Sequence, residues 1–447
     1  VLTACEIVLK EKEMRRSRFS NSVFQLCAIS LFLISNCSWI HGQDKTVLYS
    51  FTNGTDGGLP FAGLTSDETG ALYGTTSYGG NIGCQQGGNF CGTVFKLSPP
   101  SQSGGVWTET TIYTFGNSSL DEGSTPKSAV VFDPKGNLYG TTSSPTNSIY
   151  QLVPGSNGTW SSNWLYSSRG ALLTPIVDSQ GNVYDSDNAS GSLGTVFQLS
   201  PNSDGTFTTN VIHTFEGGAD GSYPGGLVMD GEGRIFGLTA GGGDLSCNPT
   251  TGCGTVFALL PPAKRGGVWT HYVLFNFEGS TNGASPYFPL ALDANHNLYG
   301  IALGAGSQSC PPGICAMVFE LSPPAKLGGA WTETVIHTFQ GGNDAAYPQG
   351  TLVLDSHGSL YGTSIQGGGG PCVENGALVG CGTIYRLSPP ASPGGSWTEA
   401  ILHSFQSESD GSQPYGSVVL DEAKRTLYGT SAFGGPENGG TVFQITP

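Results

Sequence analysis

Two carboxylates that break a repeated pattern are the residues best suited to chemistry. Asp185 and Asp187 alternate within the run Val183–Asp187 (VYDSD). Alternation along a strand puts both side chains on one face. Such a pair could hold Ca²⁺ through its oxygens, or divide the roles of general acid and base. The same phrase elsewhere carries Gly-Thr-Thr, so wear of a repeat is the plainer explanation. Eight cysteines form a second set, in four close pairs: Cys84/Cys91, Cys247/Cys253, Cys310/Cys315 and Cys372/Cys381. The stretches between them lack His and their spacing varies, which disfavours zinc and favours local disulfides in an oxidising compartment. Each pair should staple a short, peripheral loop. His213, His337 and His403 share one register with Tyr49, Tyr113 and Tyr166. An interchange of His with Tyr reads as packing rather than catalysis. No nucleophile elbow, phosphate loop or zinc-protease motif is present.

The elements that must position these residues come from a repeat. Leu-Tyr-Gly-Thr-Thr or a close variant stands at Leu72–Thr76, Leu138–Thr142, Ile235–Thr239, Leu298–Ala302, Leu360–Ser364 and Leu427–Ser431, with a worn copy at Val183–Asp187. Seven units roughly 45 to 67 residues apart match the period of a four-stranded propeller blade. In the first unit, Phe61–Thr65, Ala71–Thr76, Gly92–Leu97 and Trp107–Phe115 read as four strands joined by turns. The expected fold is all-β, a seven-bladed β-propeller of four-stranded antiparallel blades. The chain stops at a third strand, Gly440–Thr446, while Lys45–Phe51 (KTVLYSF) matches a fourth strand such as Glu109–Phe115 (ETTIYTF). The N-terminal strand should therefore complete the last blade and remove the open edge. Asp133, Asp178, Asp230 and Asp355 each lie three residues before a glycine between the first two strands. Their repetition marks them as turn residues whose carboxylates accept backbone amides.

The chain has 447 residues, 70 of them glycine, and a formal net charge of −16. A closed repeat array of this length counts as one domain. With no basic stripe to neutralise phosphates, nucleic acid is not an expected partner. Residues 1–43 stand outside the repeat and read as a leader. Val1–Glu13 reads as an over-extended start, Met14–Arg18 as a basic n-region, and Val23–Ser35 as an apolar stretch of signal-peptide length. The organisation expected is thus a leader over 1–43 and a single propeller over 44–447. The mature chain should be secreted to the cell surface, medium or periplasm, monomeric, and without a transmembrane segment.

LYGTTSYGG at Leu72–Gly80, CGTVFKLSPP at Cys91–Pro100 and GGVWTETTIYTF at Gly104–Phe115 resemble the GloVer tandem-repeat family of exported bacterial proteins. The resemblance covers about Thr46 to Ile445. The turns also look like those of NHL-type propellers. What the family implies is an exported or surface protein, with no catalytic motif to carry over.

In a propeller, the loops between second and third strands share a face with the links between blades. That face holds the cysteine-paired loops, and variable loops on one side point to an interaction surface. It also gathers Tyr223, Tyr287, Tyr347 and Tyr415, aromatics that suit sugar rings. The second and third units lack cysteines there, which should leave a notch beside Asp185 and Asp187. The expectation is a non-catalytic binding or surface-interaction module with a glycan or protein ligand at that notch. The alternatives are a carbohydrate-active or lyase-type enzyme with an off-repeat carboxylate site, and a structural part of a surface layer.

Overall fold

Short runs of β-branched and aromatic residues, broken by Asp and Gly turns, fold into seven antiparallel sheets arranged in a ring. The computed structural model describes residues 45–80, 91–102, 104–116, 123–144, 146–189, 191–245, 248–264, 266–279, 282–304, 316–326, 329–392 and 394–447. Expectations for the leader and for Cys84, Cys247, Cys310 and Cys315 lie outside these residues.

Blade 1 runs from Thr65–Ser66 through Leu72–Thr76 and Thr93–Ser98 to Thr108–Thr114. Blade 2 has a first strand in two pieces, Ser124–Pro126 and Val131–Phe132, then Leu138–Ser144, Asn147–Pro154 and Trp160–Ser168. Blade 3 comprises Ile176–Val177, Val183–Asp187, Thr195–Pro201 and Phe207–Thr214. Blade 4 is Ser222–Met229, Ile235–Gly241, Thr255–Leu260 and Thr270–Asn276. Blade 5 is Ala291–Leu292, Leu298–Ala302, Met317–Ser322 and Thr332–Thr338. Blade 6 is Ala345–Leu354, Leu360–Gly367, Thr383–Ser388 and Thr398–Ser404. Blade 7 takes Val419–Asp421, Thr426–Ser431 and Thr441–Ile445 from the C-terminus and Thr46–Ser50 from the N-terminus. Thr46 pairs with Gln444 and Ser50 with Thr441, so the N-terminal strand closes the ring.

The first strands are shorter than the sequence suggests, only two residues in blades 1, 3 and 5. The segments just before them approach one another backbone to backbone. A Cβ on Gly63 would lie 2.9 Å from the Ser417 carbonyl oxygen, and one on Gly416 would lie 2.3 Å from the Gly63 nitrogen. Glycine allows this contact, at the expense of ladder hydrogen bonds within the blade.

The apolar core lies between blades. Phe51, Tyr428 and Val442 of blade 7 are buried with Leu64, Leu72, Phe95 and Leu97 of blade 1. Five outer strands lead into an aromatic that meets the next blade edge-on, Phe51 on Phe95, Phe115 on Tyr150, Phe215 on Phe257, Phe277 on Phe319 and Phe405 on Phe443, and in blade 5 Phe339 lies tilted on Tyr385. The glycine of Leu-Tyr-Gly makes room for the receiving ring. A Cβ on Gly237 would lie 2.4 Å from Phe257 Cζ. Burying one such phenylalanine contributes about 1.5–3 kcal/mol. The interface between blades 2 and 3 departs from this rule. Ser168 replaces the phenylalanine, Asp185 replaces the glycine, and Phe197 stacks on Tyr166 instead, with centroids 4.3 Å apart.

Candidate functional site

The repeated turn aspartates are structural. Asp133 Oδ1 accepts the amides of Lys135 and Asn137 at 2.8 and 2.9 Å. Its Oδ2 accepts the Asn137 side chain and the Tyr139 hydroxyl at 2.7 and 3.1 Å. Asp67, Asp178, Asp293 and Asp355 hold the tyrosine six residues on in the same way. In blade 4 the tyrosine is Phe236, and Arg234 pairs with Asp230 instead. These carboxylates fasten the first turn to the second strand and have little capacity left for chemistry.

A second repeated arrangement sits at the blade junctions, under the face that bears the loops between second and third strands. At the junctions of blades 3 and 4, 5 and 6, 6 and 7, and 7 and 1, the His or Tyr register of one outer strand meets an Asp of the link. At the junction of blades 6 and 7, His403 Nε2 lies 3.0 Å from Asp410 Oδ2, and Lys45 Nζ lies 2.9 Å from Asp410 Oδ1. Lys45 is 3% exposed along its side chain, with Nζ 4.9 Å from the centroid of Phe405. Against burial, His403 and Lys45 hold the Asp410 carboxyl far below the usual range. At blades 5 and 6, His337 faces Asp344 at 3.8 Å and Glu399 at 3.6 Å. Burial, then the facing Asp344, pushes Glu399 up to about 7. At blades 4 and 5, burial and then the nearby Glu278 push Glu333 up to about 7. At blades 7 and 1, the Tyr49 hydroxyl donates to Asp56 at 3.0 Å. At blades 1 and 2, the hydroxyls of Tyr113 and Ser162 are 3.1 Å apart.

The junction of blades 3 and 4 differs. Here His213 and His271 stack with centroids 4.0 Å apart and planes 14° apart, both beside Asp220. Burial, then His213, lowers His271 to about 4 in spite of Asp220. The packing role expected of His213, His337 and His403 is present, since each meets Phe215, Phe339 or Phe405 edge-on. Their carboxylate partners were not anticipated, and neither was His271. The available signal was the register of His271, which is filled by glutamate at Glu109, Glu333 and Glu399.

Asp185 and Asp187 are not open to solvent; they are 1% and 6% exposed. Asp187 accepts the Tyr166 hydroxyl at 2.7 Å and the Ser168 hydroxyl at 2.6 Å, which joins blade 3 to the outer strand of blade 2. Asp185 Oδ1 accepts the Ser186 amide at 2.8 Å, while Oδ2 is buried with no hydrogen-bond partner. Burial raises the Asp185 carboxyl well above the usual carboxylate range. Both carboxylates are thus buried on blade 3, and the Ca²⁺-binding role read for them stays an expectation.

Of the four candidate tyrosines, Tyr223 is exposed, at 39%, and Tyr287, Tyr347 and Tyr415 are half-buried. Tyr415 packs edge-on against Phe61 across the closure of blades 7 and 1. Tyr223 and Tyr347 precede prolines at φ of 57° and 51°, in the left-handed region. The Tyr223 amide donates to the Leu193 carbonyl at 2.7 Å, which holds this conformation against the preceding blade.

Among the cysteines, Cys372 and Cys381 form a disulfide. Cys91 and Cys253 are also disulfide-bonded. Cys84 and Cys247, the partners expected for them, lie outside the described residues, so those two pairings stay expectations. The peripheral position expected of the stapled loops needs correction at their second cysteines. Cys91, Cys253 and Cys381 are buried. Cys253 packs with Phe277, Val256 and Met317 in the core between blades 4 and 5, and Cys381 with Phe405 between blades 6 and 7. The cause lies in the backbone. The carbonyls of Cys91, Cys253 and Cys381 each accept an amide of the next link, from Thr125, Ser285 and Gln413, all at 2.8 Å. That bond draws the base of the loop into the blade interface.

On the opposite face, among the Asp turns, the described residues form concavities. Two adjoining grooves of about 580 and 640 Å³ run between blades 3 and 4. They share Asp178, Gln180, Tyr184, Pro261 and Trp269. Trp269 stands edge-on to Tyr184 at 6.0 Å. A chain of side chains orders one wall: Asn182 donates to Asp178 at 2.7 Å, and Gln198 donates to the Tyr184 hydroxyl at 2.9 Å. Asn210, paired across from Gln198, is exposed in the same groove.

The fold and its junctions define a seven-bladed β-propeller built from a tandem repeat. The chain belongs to the Gloeobacter/Verrucomicrobia repeat family, whose model matches residues 143–376 and 309–447. No curated protein matches it. Among solved structures, it is similar to a catalytically inactive variant of virginiamycin B lyase from Staphylococcus aureus with quinupristin. The two are 13% identical with a TM-score of 0.53, over 90% of this chain and 99% of the other. It is also similar to the extracellular domain of a one-component system from B. thetaiotaomicron, at 11% identity and a TM-score of 0.51, over 90% of this chain and 41% of the other. A fungal alcohol oxidase in complex with copper shares 13% identity and a TM-score of 0.52, over 90% of this chain and 76% of the other. At these identities the likeness is one of fold.

Proposed function

We propose that this protein is an exported propeller that acts as a non-catalytic binding module, with a glycan as its ligand and a protein as the alternative ligand. The observation that carries this reading is the groove between blades 3 and 4, which Trp269 lines together with Asn182, Gln198 and Asn210. An indole face suits the apolar side of a sugar ring, and amides suit its hydroxyls. The repeated carboxylates are committed to turns and junctions, which favours binding over acid–base catalysis. The Cys372–Cys381 disulfide supports an oxidising location, and with it a leader over 1–43 ahead of a single propeller domain. Among the described residues, no helix is long and apolar enough to cross a membrane. The module acts as a monomer.

A screen of the full chain against immobilised oligosaccharides, with release of reducing ends followed in parallel, tests this. Retention of a saccharide without turnover supports binding; turnover overturns it. A second reading, a lyase-type enzyme, is favoured by Asp185, a carboxyl that burial raises well above the usual range, with one oxygen unpartnered. That reading requires the interface of blades 2 and 3 to open to substrate.

A further inference from the structure

The blade junctions repeat one geometry, and what fills it differs from junction to junction. At blades 6 and 7 the filler is a cation: the Lys45 ammonium lies against Asp410, beside His403 and over Phe405. Lys45 stands in the register of His271, because Thr46 pairs with Gln444 as Tyr272 pairs with Ala258, the corresponding position of blade 4. At blades 7 and 1 and at blades 1 and 2, a tyrosine hydroxyl meets its acceptor. At blades 2 and 3, Tyr166 and Ser168 satisfy Asp187. The junction of blades 3 and 4 supplies nothing of the kind. Two imidazoles face one carboxylate, and the Nε2 atoms of His213 and His271 are buried without a hydrogen-bond partner. The contact from His213 Nε2 to Asp220 Oδ1 is 3.3 Å but is too poorly directed to be a hydrogen bond.

We propose that His213, Asp220 and His271 bind a divalent cation of the imidazole-preferring class, represented by Zn²⁺, in the place that Lys45 fills at blades 6 and 7. The donor set is two nitrogens and one carboxylate oxygen, which suits zinc with an open fourth position. The three ligand atoms lie within 4.8 Å of one another. Asp220 Oδ1 is 3.3 Å from His213 Nε2 and 3.1 Å from His271 Nδ1. A tetrahedron with bonds of about 2.0–2.1 Å has edges of about 3.3–3.4 Å, close to these two nitrogen-to-oxygen distances. The other oxygen, Asp220 Oδ2, accepts the Glu216 amide at 2.7 Å, which fixes the carboxylate as an outer-shell partner would. The stacked imidazoles are nearly parallel, so one ring turns about its χ2 for both lone pairs to converge. At 14–24% side-chain exposure, the three residues are reachable from solvent. The junction of blades 5 and 6 is the weaker relative. Its distances are 3.6 and 3.8 Å, and Glu399 replaces the second imidazole.

The test uses the full chain, freed of any affinity tag and chelator-treated, titrated with ZnCl₂ by calorimetry near neutral pH. Bound zinc is counted after gel filtration. The expected result is one ion per chain, with a rise in melting temperature that depends on zinc concentration. His213→Tyr and His271→Thr place at each site a residue that the repeat itself uses there, so folding is retained, as circular dichroism checks. Each variant should lose the ion and the zinc-dependent rise. His337→Tyr, in the junction of blades 5 and 6, should lose neither. Absence of zinc binding by the wild-type chain overturns the proposal. So does zinc that survives both single substitutions, or zinc lost on His337→Tyr.

Discussion

Replacing Glu399 with glutamine should stabilise the ring in a way that depends on pH. Glu399 faces Asp344 and His337 across the junction of blades 5 and 6, with its side chain 18% exposed. Burial and Asp344 raise its carboxyl from an ordinary 4.5 to about 7. Below pH 4.5 both folded and unfolded chains carry it neutral, and its contribution is fully present. Between pH 4.5 and 7 the unfolded chain ionises first, so stability is lost as pH rises, and the loss is complete above the folded value. The gap is worth about 3 kcal/mol at most. A neutral amide cannot ionise, so Glu399→Gln should match wild type near pH 4 and exceed it by up to that amount at pH 8. At an unfolding entropy of about 2 cal/mol/K per residue, the gain is about 3–4 °C for this domain. Thermal unfolding by circular dichroism at matched scan rates, from pH 4 to pH 8, measures it. An advantage that does not change with pH, or one that is largest in acid, would refute the reasoning.

Asp133→Ala should cost about 2–3 kcal/mol, because two backbone amides, one side-chain amide and a tyrosine hydroxyl lose one acceptor. Asp133→Asn should cost less, and urea midpoints distinguish the two. Serine at both Cys372 and Cys381 should raise hydrogen exchange in Gly368–Gly382 and also lower the melting temperature, since the bond closes a separation of 9 residues and Cys381 is buried beside Phe405; an unchanged melt would show that the staple matters only to its loop. Deleting Lys45–Phe51 removes the outer strand of blade 7, the Lys45–Asp410 pair and buried Phe51. Light scattering should then show aggregation through the exposed Thr441–Ile445 edge; a clear, monomeric product would show that closure is dispensable.

The ring and its closure were legible because each unit repeats one pattern and the two ends supply complementary strands. Asp133 and its equivalents could be assigned to turns because repetition separates building residues from special ones. Asp185 was harder. Alternation tells which face a side chain takes but not how deep that face lies, and depth here depends on Ser168 and Phe197 in other strands. Cys253 poses the same difficulty, since its burial is set by Phe277 and by the link that carries Ser285. The junction clusters were hidden too: His213, Asp220 and His271 are brought together by the spacing of blades, which no local pattern encodes. The groove was missed because Trp269 reads as the start of an outer strand, and only the ring places it opposite Tyr184.

Affinity for a retained oligosaccharide, measured by calorimetry on wild type and Trp269→Ala, tests the central claim most directly. Loss of one stacked aromatic should weaken binding about tenfold, close to 1.4 kcal/mol, with no turnover of the saccharide by either protein. Undiminished binding by Trp269→Ala, or cleavage of the saccharide by wild type, would contradict a non-catalytic ligand site between blades 3 and 4.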